Sequence, residues 1–121
     1  LQDLTNLTHL TLGKKFNQSL YHLPENIINL RLLSNFNNNE SIKRLNSLTQ
    51  LTHLTLGNNN TKNEPLTSDY LPPNLTHFIL LRSSTLQIKS LPSTLKEIQV
   101  SIHYPYRENI KSIKPPGAKI S

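Results

Sequence analysis

Apolar residues recur along this chain at two spacings at once. Within short phrases they follow L-x-x-L-x-L: Leu7/Leu10/Leu12, Ile27/Leu30/Leu32, Leu51/Leu54/Leu56, Leu75/Phe78/Leu80 and Leu95/Ile98/Val100. The last two positions of each phrase are two apart, which is the alternation of a half-buried strand. Between phrases, the middle residues Leu10, Leu30, Leu54, Phe78 and Ile98 lie 20, 24, 24 and 20 residues apart. The tail "IKPPGAKIS" aligns with "LPSTLKEIQ", placing Ile113 under Leu91 and Ile120 under Ile98, each 22 residues on. The pattern predicts five units and the opening of a sixth.

Each unit repeats one grammar. A Leu opens it, often followed by Pro, as at Leu23-Pro24, Leu71-Pro72 and Leu91-Pro92. The strand phrase comes next. A turn follows at Gly13, Asn35, Gly57-Asn58-Asn59 or Ser83-Ser84, and a second apolar cluster closes the unit: Phe16/Leu20, Phe36/Ile42, Leu66, Leu86/Ile88 and Ile110. A strand this short cannot bury its own apolar face, but stacked copies can. A period of about 22 residues therefore predicts a leucine-rich-repeat-like solenoid, with parallel strands about 4.8 Å apart on a concave face. The expected boundaries are repeats near 1–22, 23–44, 45–70, 71–90 and 91–112, with a cap at 113–121. Prolines 24, 65, 72, 73 and 92 and the Asn runs oppose helix on the convex side, where little or no regular α-helix is expected. The "LxxLxLxxN" phrase is complete in Ile27–Asn35 and Leu51–Asn59 only, so an Asn ladder is partial. Tyr104-Pro105-Tyr106 and Pro115-Pro116 read as aromatic cover followed by prolines that end the ladder. Leu1, Leu4 and Leu7 have no visible cover, and the chain starts in mid-pattern, as expected of part of a longer product.

The phrases "LP-x-x-L-T-H-L", Gly13 and "FNQSL" at Phe16–Leu20 resemble the FNIP-repeat proteins, a leucine-rich-repeat variant of social amoebae and of giant viruses that infect amoebae. The resemblance is carried most fully by "LTHLTLGKKFNQSLYHLPENIINLRL" and extends over essentially the whole chain. The second unit keeps only Phe36-Asn37 of the Phe-Asn segment, and the last three units have lost it. The resemblance implies a repeat protein of the host cytoplasm, or of a virion if the source is viral. It also implies a substrate-recruiting role beside an F-box, a domain these residues do not include.

Composition narrows the chemistry. With 121 residues, one core is feasible. The absence of Cys excludes disulfides, thiolate metal sites and Cys nucleophiles. No apolar run approaches the roughly 20 residues of a membrane span, and the first residues lack a signal-peptide pattern. The net charge is +6, and the stretch from Arg82 onward carries seven Lys/Arg against two acids. That permits an acidic partner, nucleic acid included, although solvated surface lysines are the plainer reading. Sequons at Asn6, Asn17, Asn39, Asn59 and Asn74 would matter only on a secretory route.

The repeat also sorts the polar residues. His9, Asn29, His53, His77 and Glu97 form one column on the exposed strand face. Thr11, Arg31, Thr55, Ile79 and Gln99 form a second, and Gly13, Leu33, Gly57, Leu81 and Ser101 a third. His53 and His77 are therefore expected side by side. They could hold a metal with Glu97, but the plainer reading is a half-polar ladder, with no metal and no cofactor. Adjacent imidazoles resist double protonation, so the column is expected to gain charge at mildly acid pH and weaken binding. No nucleophile motif, phosphate loop or His-Glu-x-x-His phrase occurs, so no enzyme is expected. The partner-binding candidates are His9, Thr11, Asn29, Arg31, Leu33, His53, Thr55, His77, Ile79, Leu81, Glu97 and Gln99. Ile79 and Leu81 beside Leu33 and Arg31 are the candidate hot spot. Read together, the residues point to a non-enzymatic protein-protein interaction scaffold. A structural or assembly component and a basic nucleic-acid-associated protein are the alternatives.

Overall fold

The computed structural model describes residues 7–13, 23–33, 43–57, 67–81 and 87–121. Six strands form one sheet in the order of the chain: β1 (His9–Leu12), β2 (Asn29–Leu32), β3 (His53–Leu56), β4 (His77–Leu80), β5 (Glu97–Val100) and β6 (Lys119–Ile120). Every neighbouring pair is parallel. The register follows the sequence period. Leu10, Leu30, Leu54, Phe78, Ile98 and Ile120 lie in one row, and Leu12, Leu32, Leu56, Leu80 and Val100 in the next.

A shared hydrogen-bond scheme sets that register. The carbonyl just before each of the strands β1 to β4 accepts two N–H groups from the following unit. Thr8 O takes Ile28 and Asn29, Ile28 O takes Thr52 and His53, Thr52 O takes Thr76 and His77, and Thr76 O takes Lys96 and Glu97, all at 2.8–3.1 Å. Using both lone pairs leaves no unsatisfied donor where the chain enters the sheet. The Pro-x-x-Leu phrases supply the entry turn. Leu75 N–H donates to Pro72 O at 3.3 Å and Leu95 N–H to Pro92 O at 3.4 Å. Proline's fixed φ suits such a turn.

The core lies against the inward side of the sheet. Ile27, Leu30, Leu32, Leu51, Leu56, Leu75, Phe78 and Ile98 are fully buried, each worth about 1.5–3 kcal/mol of transfer free energy. The opening leucines Leu23 and Leu71 are buried, and Leu91 packs against the core half-covered. Of the closing clusters, Ile88 and Ile110 are buried. Phe16, Leu20, Phe36, Ile42, Leu66 and Leu86 lie outside the described residues, as do Leu1, Leu4 and the turn positions Asn35, Asn58, Asn59, Ser83 and Ser84.

The side opposite the sheet carries short 3₁₀ turns at Lys43–Ser47 and Ser68–Tyr70. Side chains join successive units there: Asn46 Nδ2 to Asp69 O at 3.0 Å, Ser68 N to Ser90 Oγ at 2.8 Å, and Asn109 Nδ2 to Ile88 O at 3.0 Å. Among the described residues there is one regular helix, α1 (Arg107–Ile113), in keeping with the expectation of little or no regular α-helix. Its seven residues contain no Pro, they bury Ile110, and Glu108 pairs with Lys111 across one turn at 3.2 Å. One departure concerns the prolines after α1. They do not end the ladder: Ala118 N–H donates to Pro115 O at 3.1 Å, and that turn feeds β6 onto β5. Tyr104 provides the expected aromatic cover, 2% exposed and edge-on to Tyr106 at 5.8 Å. Burial pushes its phenol pKa well up, and Tyr106 adds to the shift.

Candidate functional site: the outward face of the sheet

Residues between the core positions point away from the core and form two main rows. The first is His9, Asn29, His53, His77, Glu97 and Lys119; the second is Thr11, Arg31, Thr55, Ile79 and Gln99. The sequence columns are thus the rows of the sheet, with Lys119 as an added member. Burial along them is uneven. His9, Thr11, Arg31, Glu97 and Gln99 are exposed, while Asn29, His53, His77, Ile79, Leu33 and Leu81 are half-buried. Thr55 breaks the expectation of exposure, with 6% of its surface accessible. It lies between Arg31 and Ile79, both larger than itself. Gly57 in the third row is buried too.

His53 and His77 stack face to face, with ring centroids 4.2 Å apart and planes 4° from parallel. The residue before each ring fixes its orientation. Thr52 Oγ1 lies 2.8 Å from His53 Nδ1, Thr76 Oγ1 2.8 Å from His77 Nδ1, and Thr8 Oγ1 2.9 Å from His9 Nδ1. Thr76 also donates its hydroxyl proton to Thr52 O at 3.2 Å, and Thr52 its own to Ile28 O at 3.5 Å. A hydroxyl has one proton. Where that proton goes to the carbonyl, the ring donates from Nδ1–H and carries its lone pair on the outward Nε2; where it goes to the ring, the two roles reverse. The threonines escaped the column reading, which attended to the histidines alone. A signal was present, however. Thr precedes His in all three units that have one, and the units with Asn29, Glu97 and Lys119 have Ile28, Lys96 and Ala118 instead.

His77 Nε2 lies 3.6 Å from Glu97 Oε2, an ion pair when the ring is protonated. His53 has no carboxylate in its row on either side. Its pKa is lowered from the ordinary value, first by burial and then by the charges of His77 and His9. The trio is poorly built for a metal. Ligand lone pairs lie in the ring plane, so parallel stacked rings aim side by side rather than at one ion. Among the described residues, no group of three or more His, Asp or Glu side chains is placed to hold a metal.

The second feature of this face lies toward the C-terminal ends of β4 and β5. Ile79, Leu80, Leu81, Gln99, Val100, Ser101 and Ser121 line an open groove of about 550 Å³. It gathers Ile79 and Leu81, the predicted apolar pair, with Gln99 beside them. Arg31 and Leu33 lie on β2 and just beyond its end, separated from Ile79 and Leu81 by the intervening β3 segment, and they do not line the groove. Among the described residues no helix is long and apolar enough to cross a membrane. No protein-family model, curated protein or solved structure matches this chain.

Proposed function

We propose that the chain is a leucine-rich-repeat-like solenoid that binds a protein partner through the outward face of its sheet and performs no catalysis. The observation that carries this reading is the groove at β4 and β5. Half-buried Ile79 and Leu81 stand in a largely polar face, in an open recess of about 550 Å³ edged by Gln99, Ser101 and Ser121. Apolar anchors ringed by hydrogen-bonding groups are the usual core of a protein interface. The uniform in-order parallel sheet and the FNIP-like phrases of Leu7–Leu32 support the repeat reading. If the resemblance extends to function, the partner is a protein recruited for ubiquitination.

The test is retention of partners from a cell extract by immobilised protein, compared across variants with unchanged circular dichroism. Ile79→Asp combined with Leu81→Asp should lose a partner that the wild type holds. Ile102→Asp should keep it, because Ile102 is 77% exposed and lies outside the groove. Equal retention by all three proteins refutes the groove reading.

A second reading, self-assembly, is favoured by β1. Among the described residues its outer edge has no strand partner, and Leu10 is only partly covered whereas Leu30, Leu54, Phe78 and Ile98 are at most 1% exposed. Open edges invite strand addition. Light scattering that gives a monomer mass over a wide concentration range removes this reading.

A further inference from the structure

The His53–His77 stack has neighbours of unequal character. Toward β5, His77 faces the Glu97 carboxylate at 3.6 Å, and Lys119 follows Glu97 on β6. Toward β2, His53 faces neutral Asn29, with His9 beyond it on β1 and the Arg31 guanidinium one row over. In these two rows the charged or titratable groups on the His53 side are His9 and Arg31, both basic, while the His77 side begins with an acid. The two rings cannot separate at will, because each Nδ1 is tied to a threonine that is itself tied to the neighbouring unit's backbone.

We propose that this stack is a one-proton switch: the first proton is taken by the ring facing Glu97, and a second, on His53, breaks the stack and loosens the step between β3 and β4. Two imidazolium rings with centroids 4.2 Å apart repel strongly in a half-buried site. Turning His53 outward relieves that repulsion but strips Thr52 of its ring partner, beside the carbonyl that holds Thr76 and His77. The lowered pKa of His53 agrees with this order of protonation. The switch resides in the sheet itself and holds whatever the outward face binds.

NMR titration of the full chain from neutral to acid pH tests it, following the ring carbons of His53 and His77 together with amide-exchange protection of Thr76 and His77. His77 should titrate before His53, and protection of the two amides should fall as His53 gains its proton. In Glu97→Gln the two midpoints should draw together, and in His77→Gln the His53 midpoint should rise toward 6.5, the ordinary value. Two rings titrating at one midpoint in the wild type would overturn the proposal. So would a His53 titration that leaves amide protection unchanged. Glu97 is exposed, so its variant keeps the test valid even where His77→Gln does not fold.

Discussion

Replacing Thr76 with Val isolates the Thr–His couple, because Val keeps the branched shape and removes only the hydroxyl. Two hydrogen bonds are lost: the 3.2 Å bond to Thr52 O and the 2.8 Å bond between the hydroxyl and His77 Nδ1. Neither loss leaves a fully orphaned group. Thr52 O still accepts the N–H groups of Thr76 and His77 at 2.9 Å, and His77, with a side chain 34% exposed, can turn to water. The cost is therefore the net value of two bonds and not a burial penalty. At about 0.5–1.5 kcal/mol per bond, discounted for the long donation and the partial exposure, the loss is about 1–2 kcal/mol. In a domain of this size that lowers Tm by roughly 4–8 °C. Urea unfolding measures the energy, and long-range ¹⁵N–¹H spectra of the rings read the tautomer. The wild type should show His77 protonated on Nδ1, and Thr76→Val should shift it toward Nε2. A wild-type ring protonated on Nε2, or a variant as stable as the wild type, refutes the argument that the hydroxyl's one proton goes to the backbone.

Three further outcomes are expected. Phe78→Ala, at a position with no exposed surface between Leu54 and Ile98, should cost about 3–5 kcal/mol in urea unfolding. Stability should fall on acidification. Because His53 has a depressed pKa in the fold, the unfolded chain binds the proton more readily, so the stability is present above 6.5 and is lost as pH falls through the lowered value; in His53→Gln this part of the pH dependence should vanish. Glu97→Gln should change stability by less than about 1 kcal/mol at neutral pH by thermal unfolding, since its ion-pairing side chain is 57% exposed.

The rows of the sheet were legible because two constraints coincide. Period-two burial places Leu10 and Leu12 inward, and the unit length sets Leu30 on Leu10 and Ile120 on Ile98. What escaped depends on neighbours that no single unit shows. Thr55 looks exposed by alternation and is covered because Arg31 and Ile79 are both larger. The place of α1 was hidden by flanking prolines, Pro105 before it and Pro115 after it, which bound the helix without entering it. At the site, the stacked histidines follow directly from the register. The bonds of Thr52 and Thr76 that orient the rings are visible only in three dimensions.

The doubly used carbonyl before each strand has a consequence for how such a chain changes length. Thr8, Ile28, Thr52 and Thr76 offer the next unit the same two-bond docking point, whatever their side chains. At this docking point each unit reads only the backbone of the unit before it. Excision of residues 53–76, one whole unit, would bring His77 onto Asn29 and Phe78 onto Leu30, with both faces still correctly sorted. A one-residue change inside a strand phrase would turn its leucines outward, whereas the segments between phrases already differ in length, with 20 or 24 residues from one anchor to the next. Genes encoding such chains can therefore grow or shrink in whole units, keeping the core intact while the outward rows are reshuffled into new surfaces.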